Sequence, residues 1–184
     1  MTPDLSIKDI DEAVIHDVYI QDYSKKDTIH GVEIFSLKNI IGEEGDFCEL
    51  VRLDEKGQIS QMPGFQIAQV NRTKLNPSSI KAWHLHFKQD ELWHVPPSSF
   101  LFAGLWDVRK SSPTRGKKMR ILLGGGYSQL LFIPKGVAHG SCNFSKEPVE
   151  LMYFVNKHFN IHDPDEKRIR WDILGADFWT PMKD

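Results

Sequence analysis

Apolar residues along this chain come in short runs, many with the two-residue alternation of a half-buried strand, and helical periodicity is scarce. Strands are predicted over residues 32–37, 47–53, 65–70, 80–87, 91–95, 100–108, 119–123, 129–133 and 149–155. Between them lie turn formers: Gly42-Glu43-Glu44-Gly45, Asn76-Pro77-Ser78-Ser79, Pro96-Pro97-Ser98-Ser99, Ser111-Ser112-Pro113-Thr114 and Gly124-Gly125-Gly126. Many short strands at such spacing predict an all-β sandwich or barrel. Short terminal helices are expected over residues 7–15 and about 169–177. There is no internal repeat or low-complexity segment, so residues 1–184 read as one domain, with the first thirty or so as an arm toward a second subunit.

Composition narrows the function classes. At 184 residues the chain is long enough for one full core, and 40% hydrophobic with 26% charged residues is ordinary for a soluble globular protein. A net charge of −2 argues against broad nucleic-acid or anionic-membrane binding. No run approaches the ~18 apolar residues of a membrane span, and Met1-Thr2-Pro3-Asp4 lacks a signal-peptide profile, so a cytoplasmic protein is expected. Cys48 and Cys142 form no CxxC pair, which points to neither a disulfide framework nor a thiolate zinc site.

The chemistry concentrates in two segments. In Lys81-Ala82-Trp83-His84-Leu85-His86, strand parity puts His84 and His86 on one face and Trp83 and Leu85 on the other. After a turn at Lys88-Gln89-Asp90, Glu91 shares a face with Trp93 and Val95, while His94 points away. His139 follows a turn at Pro134-Lys135-Gly136. On strands of a small barrel, His84, His86, Glu91 and His139 converge, either as ligands of one divalent ion (Zn, Ni, Fe or Mn) or as separate acids and bases. His16, His30, His94, His158 and His162 read as structural or surface residues, and Trp83, Trp93 and Trp106 as core or pocket wall. Arg109, Lys110 and Arg115 read as a solvated loop or a phosphate contact.

HxHxxxxE followed by PxGxxHxxxN resembles the paired signature of the cupin superfamily, with Ser78, Ser98 and Ser128 where glycines are usual. The resemblance implies a jelly-roll barrel (a double-stranded β-helix) that often carries one metal ion. A closer resemblance rests on Gly45-Asp46-Phe47-Cys48-Glu49, Gln69-Val70-Asn71, Lys81-Ala82-Trp83-His84, residues 105–116, residues 132–140 and Ile169-Arg170-Trp171-Asp172. Together these are similar to the dTDP-4-dehydrorhamnose 3,5-epimerase family. That resemblance implies a homodimeric isomerase acting on a 4-keto sugar or nucleotide sugar by proton abstraction next to a carbonyl. It assigns His84 as base, Tyr153 as acid and His139 as a supporting residue, with Gln69, Asn71 and Lys81 binding substrate. It implies no cofactor.

The chain departs from that family's pattern at three places. Glu91 stands where the family keeps a lysine beside the enolate oxygen, Glu44 where it keeps an arginine for the diphosphate, and Asp184 is the nearest counterpart of a base-orienting aspartate. A metal on the four convergent residues would replace the missing lysine, but would compete with the base role for His84. Two alternatives therefore stand beside the epimerase: a metal-dependent cupin enzyme of another class (oxygenase, lyase or non-redox isomerase), and a non-catalytic carbohydrate-binding relative.

Overall fold

The computed structural model describes residues 3–23 and 28–182; Asp184 lies outside them. Among the described residues, twelve strands follow in chain order: β1 (Glu33–Ser36), β2 (Asn39–Gly42), β3 (Gly45–Cys48), β4 (Gln69–Leu75), β5 (Ile80–Leu85), β6 (Glu91–His94), β7 (Phe100–Asp107), β8 (Lys118–Gly124), β9 (Gln129–Ile133), β10 (Val137–Cys142), β11 (Val149–Val155) and β12 (Lys167–Arg168). One five-stranded sheet has the order β1-β9-β6-β11-β4, the other β12-β5-β10-β7-β8, and β2-β3 form a separate hairpin. Every strand pair is antiparallel. The architecture is the expected jelly roll.

Strand parity organises the interior. Leu101, Ala103 and Leu105 of β7 meet Leu131 and Ile133 of β9 and Leu151 of β11 in the central core between the sheets. The alternate positions face outward: Leu92, Leu130 and Phe154 pack under the 59–67 segment, while Trp83, Phe102 and Ala138 pack under Trp179 near the C-terminus. Trp83 and Leu85 thus anchor β5 from outside, and His84 is turned inward.

Several elements differ from expectation, each for a local reason. The strand expected at 65–70 lies at Gln69–Leu75, because its inward positions Gln69, Asn71 and Thr73 are polar and line a cavity. Phe65 and Ile67 instead cap an outer cluster from irregular chain. The strand expected at 47–53 ends at Cys48. The expected terminal helices are only single 3₁₀ turns, at Ile7–Asp9, Ile15–Asp17 and Ala176–Trp179; Gly175, at φ +86°, precedes the last. Strand β10 was not expected, since Ala-His-Gly-Ser-Cys holds few strand formers. Its Gly140 sits so close to β5 that an added Cβ would lie 2.4 Å from the Cβ of Ala82. Ser78, where the cupin motif usually has glycine, takes the left-handed φ of +58° that glycine accepts without strain. Among the described residues no helix is long and apolar enough to cross a membrane.

Candidate active site

A cavity of about 660 Å³ opens between the two sheets. Gln69, Asn71 and Thr73 reach it from β4, His84 from β5, Glu91 and Trp93 from β6, His139 from β10 and Tyr153 from β11. His139 pairs directly with His84 across β10 and β5. The three imidazoles form a short stack, with centroids 5.9 Å apart for His84–His139 and 5.3 Å for His86–His139. Trp93 meets His139 edge-on at 5.4 Å.

One wall is closed by the segment before β12. The Asp165 carboxylate accepts the backbone N–H groups of Phe87, Lys88 and Gln89 at 2.9, 2.7 and 3.0 Å. Burial opposes its charge, but those three donors outweigh it and its pKa is lowered. This staple fixes residues 165–168 against the β5–β6 turn, and with them Glu166 and Arg168.

Hydrogen-bond partners and burial together set the protonation of each histidine. The His86 Nδ1 contacts the Asp165 carbonyl, and its Nε2 lies 3.1 Å from Glu91 Oε1. A carbonyl and a carboxylate only accept, so both ring nitrogens carry protons and His86 is an imidazolium. Burial works against that charge, yet Glu91 outweighs it and the His86 pKa is raised. Glu91 also accepts from Gln89 Nε2 at 2.8 Å and Trp93 Nε1 at 2.6 Å. Burial opposes its ionisation as well, but the neighbouring imidazoles and Trp93 hold its pKa down to about 2. His139 donates Nδ1–H to the Val137 carbonyl at 3.0 Å, and although its Nε2 lies 3.5 Å from Glu91 Oε2, burial outweighs that carboxylate and lowers its pKa, so it is neutral.

His84 is held differently. Arg168 Nη1 lies 2.7 Å from its Nε2, and a guanidinium only donates, so Nε2 accepts. The proton is therefore on Nδ1, 3.4 Å from Glu166 Oε1. Burial first, then His139 and Arg168, push its pKa down to about 3. Tyr153 is raised by burial and by the charges of Glu91 and Glu166, so it stays protonated at neutral pH.

The expected ligand set is thus brought together only in part. Ligand atoms of His86, Glu91 and His139 all lie within 4.8 Å of one another, and His84 stands outside that group, engaged by Glu166 and Arg168. His86 and His139 both anchor Nδ1 on a backbone carbonyl and turn Nε2 toward Glu91, so these three fit a divalent ion with two imidazoles and one carboxylate.

The other expected residues also find places. Gln69 donates to Asn71 at 2.7 Å and accepts the Phe159 N–H at 3.0 Å; Lys81 donates to Thr73 at 2.6 Å. Lys81, Gln69 and Asn71 line the cavity. His94 is buried against the Gln129 carbonyl, outside the cavity. His158, read as structural or surface, is exposed at the cavity rim. Arg109 is committed to the buried Asp107, which also takes the Ser112 and Thr114 hydroxyls, and so closes its own loop. Glu44 is exposed in the β2–β3 turn and does not line the cavity. Sequence reasoning missed Glu166 and Arg168. Their i, i+2 spacing was the available signal, but nothing local tied that strand pair to His84.

The model of the dTDP-4-dehydrorhamnose 3,5-epimerase family matches residues 26–179. The spore coat polysaccharide biosynthesis protein SpsL of Bacillus subtilis is 39% identical over 144 residues, 78% of this chain and 91% of that protein. The probable low-salt glycan biosynthesis epimerase Agl13 of Haloferax volcanii is 28% identical over 145 residues, covering 78% and 89%. NovW, a 4-keto-6-deoxy sugar epimerase from Streptomyces spheroides, shares the fold with a TM-score of 0.71 at 19% identity, over 85% of this chain and 78% of that one. This chain belongs to the dTDP-4-dehydrorhamnose 3,5-epimerase family, whose members are sugar-nucleotide epimerases of the isomerase class.

Proposed function

We propose that the protein epimerises a nucleotide-linked 4-keto hexose, with His84 as base and Tyr153 as acid. One observation carries the reading: a single-tautomer imidazole from β5 and a protonated phenol from β11 enter one cavity from opposite sheets. Inversion at carbon needs a base on one face and a proton donor on the other, and the adjacent ketone makes the C–H acidic. Glu166 Oε1, 3.4 Å from His84 Nδ1, stands beside the proton that the Arg168 contact leaves on that nitrogen. His139 supports the base ring, while Gln69, Asn71 and Lys81 contact the sugar nucleotide.

The test is deuterium incorporation from D₂O into dTDP-, UDP-, GDP- and CDP-linked 4-keto hexoses, with absence of exchange from all four counting against an epimerase. In Tyr153→Phe, inverted product is expected to fall about 10²-fold while exchange with retention falls less, because His84 still removes and returns the proton. Equal loss of both would remove Tyr153 from the acid role.

A second reading, a metal-dependent cupin enzyme of another class, is favoured by the shared aim of the His86 and His139 Nε2 atoms at Glu91. An ion there would act as a Lewis acid toward a bound oxygen. In the first reading the His86 proton takes the cation's place. Elemental analysis after incubation with Zn, Ni, Fe or Mn should then find well under one ion per chain, and chelators should leave exchange unchanged. One ion per chain, lost in Glu91→Gln, would favour the second reading instead.

We further propose a homodimer. Ile40, Ile41 and Phe47 of the β2–β3 hairpin, and Tyr19, Ile20 and Tyr23 of the N-terminal segment, are exposed apolar surface that a second copy would cover. The two unpaired cysteines suit a reducing, cytoplasmic setting.

A further inference from the structure

Glu91 leaves the cavity without the family's lysine, so the positive charge for an enolate oxygen has to come from elsewhere. The His86 imidazolium is paired with Glu91, and among the described residues four lysine and arginine side chains also line the cavity. Lys81 donates to Thr73, Lys88 pairs with Asp163 at 2.8 Å, and Lys157 is exposed at the rim. Arg168 is the one that hydrogen-bonds the base, and β12 pairs it directly opposite His84. We propose that Arg168 caps the His84 lone pair in the substrate-free protein and moves to the substrate's keto oxygen when the base is engaged, acting there as the enolate-stabilising catalytic residue. This rests on the epimerase reading.

The geometry supplies the path. Arg168 is held at two points: Nη1 on His84 Nε2 at 2.7 Å, and Nη2 on Glu166 Oε1 at 2.5 Å. Glu166 Oε1 is also the oxygen beside the His84 Nδ1–H. With Nη2 kept on Glu166 as a pivot, Nη1 leaves Nε2 when a substrate C–H arrives there. The keto oxygen is on the neighbouring carbon, so the displaced N–H meets it within a short swing. β12 is only two residues long, at a sheet edge, and the Arg168 side chain is 58% exposed, so little packing resists the movement.

The step balances. The C–H bond breaks, its proton goes to His84 Nε2, and its electron pair passes to the keto oxygen, where the guanidinium donates to the enolate. Tyr153 then returns a proton to the same carbon from the other face, and solvent takes the His84 proton and restores the phenol. The base is thus uncovered only when an acidic C–H is present.

The experiment compares wild type, Arg168→Lys and Arg168→Gln in deuterium incorporation, with circular dichroism to verify folding. The expected result for Arg168→Gln is a kcat lower by about 10²–10³-fold with KM within about threefold. Added guanidinium should restore at least about tenfold, and Arg168→Lys should fall between. A kcat within about threefold of wild type would overturn the inference while leaving the epimerase standing. So would a raised KM at unchanged kcat, since Arg168 would then bind a group such as the diphosphate equally in ground and transition states. Absence of exchange in wild type would remove the epimerase reading and this inference with it.

Discussion

His84→Gln should lower kcat for deuterium incorporation by about 10³–10⁴-fold while leaving the fold intact. Glutamine keeps a carbonyl to accept from Arg168 and an amide to donate to Glu166, so the wall of the cavity closes much as before, but no lone pair of useful basicity remains. Loss of general acid–base catalysis alone accounts for about 10²–10⁴-fold. The pH profile sharpens the assignment. In the free protein His84 is neutral down to about pH 3, because burial, His139 and Arg168 all disfavour its charge. The base must be unprotonated, so kcat/KM should stay flat well below the ordinary imidazole range near pH ~6.5. Tyr153 must be protonated, and its raised pKa keeps the alkaline limb above the ordinary phenol range. A kcat/KM that halves near pH ~6.5 would mean that a different, unburied histidine is the base.

Most of the barrel could be read from residue order, because its strands carry apolar side chains on the core face and end at proline, glycine and serine clusters. Parity alone turns His84 and His86 away from Trp83 and Leu85, and puts Glu91 on the face of Trp93. Reading failed where the inner face is the cavity. Gln69, Asn71 and Thr73 carry no hydrophobic alternation, so β4 was displaced toward Phe65 and Ile67, which are apolar for a different cluster. In β10, small residues are required by the approach of Gly140 to Ala82, and they erase the strand signature. Glu166 and Arg168 were invisible for another reason. Their meaning comes from the β12–β5 register and from the Asp165 staple, contacts across about eighty positions of chain. Valence was equally out of reach. That His86 is charged follows from the carbonyl and carboxylate its ring nitrogens face, and that His84 is neutral from burial and the guanidinium on its Nε2. His139, with the same kinds of neighbour as His86, is kept neutral by burial.

Glu91→Gln should destabilise the protein by about 3–5 kcal/mol near pH ~5.5, measured by urea denaturation, because it removes the partner of the buried His86 imidazolium. The amide accepts at one atom only, so it cannot take the Trp93 N–H together with His86 and Gln89, all of which now end on the carboxylate. The pair's pH window follows from both shifts. Glu91 is lowered to about 2, so its stabilisation is present above the unfolded value near 4.5 and is lost as pH falls from there. His86 is raised, so its stabilisation is full below about 6.5 and is lost as pH climbs through its folded pKa. The difference between wild type and Glu91→Gln should therefore peak between about pH 4.5 and 6.5 and shrink on the alkaline side, where His86 releases its proton. Wild type itself should weaken in acid: His84 and His139 are lowered, so below about pH 6.5 the unfolded chain binds protons that the folded one refuses, at about 1.4 kcal/mol per pH unit for each. In the double variant Glu91→Gln/His86→Gln no charge is stranded, so its loss should be smaller than the sum of the single losses. Additive losses would mean that the two residues are not a pair. The same pairing bars a lysine from this position. Glu91→Lys would set an ammonium against the His86 imidazolium in a buried wall, and one of the two would have to give up its proton.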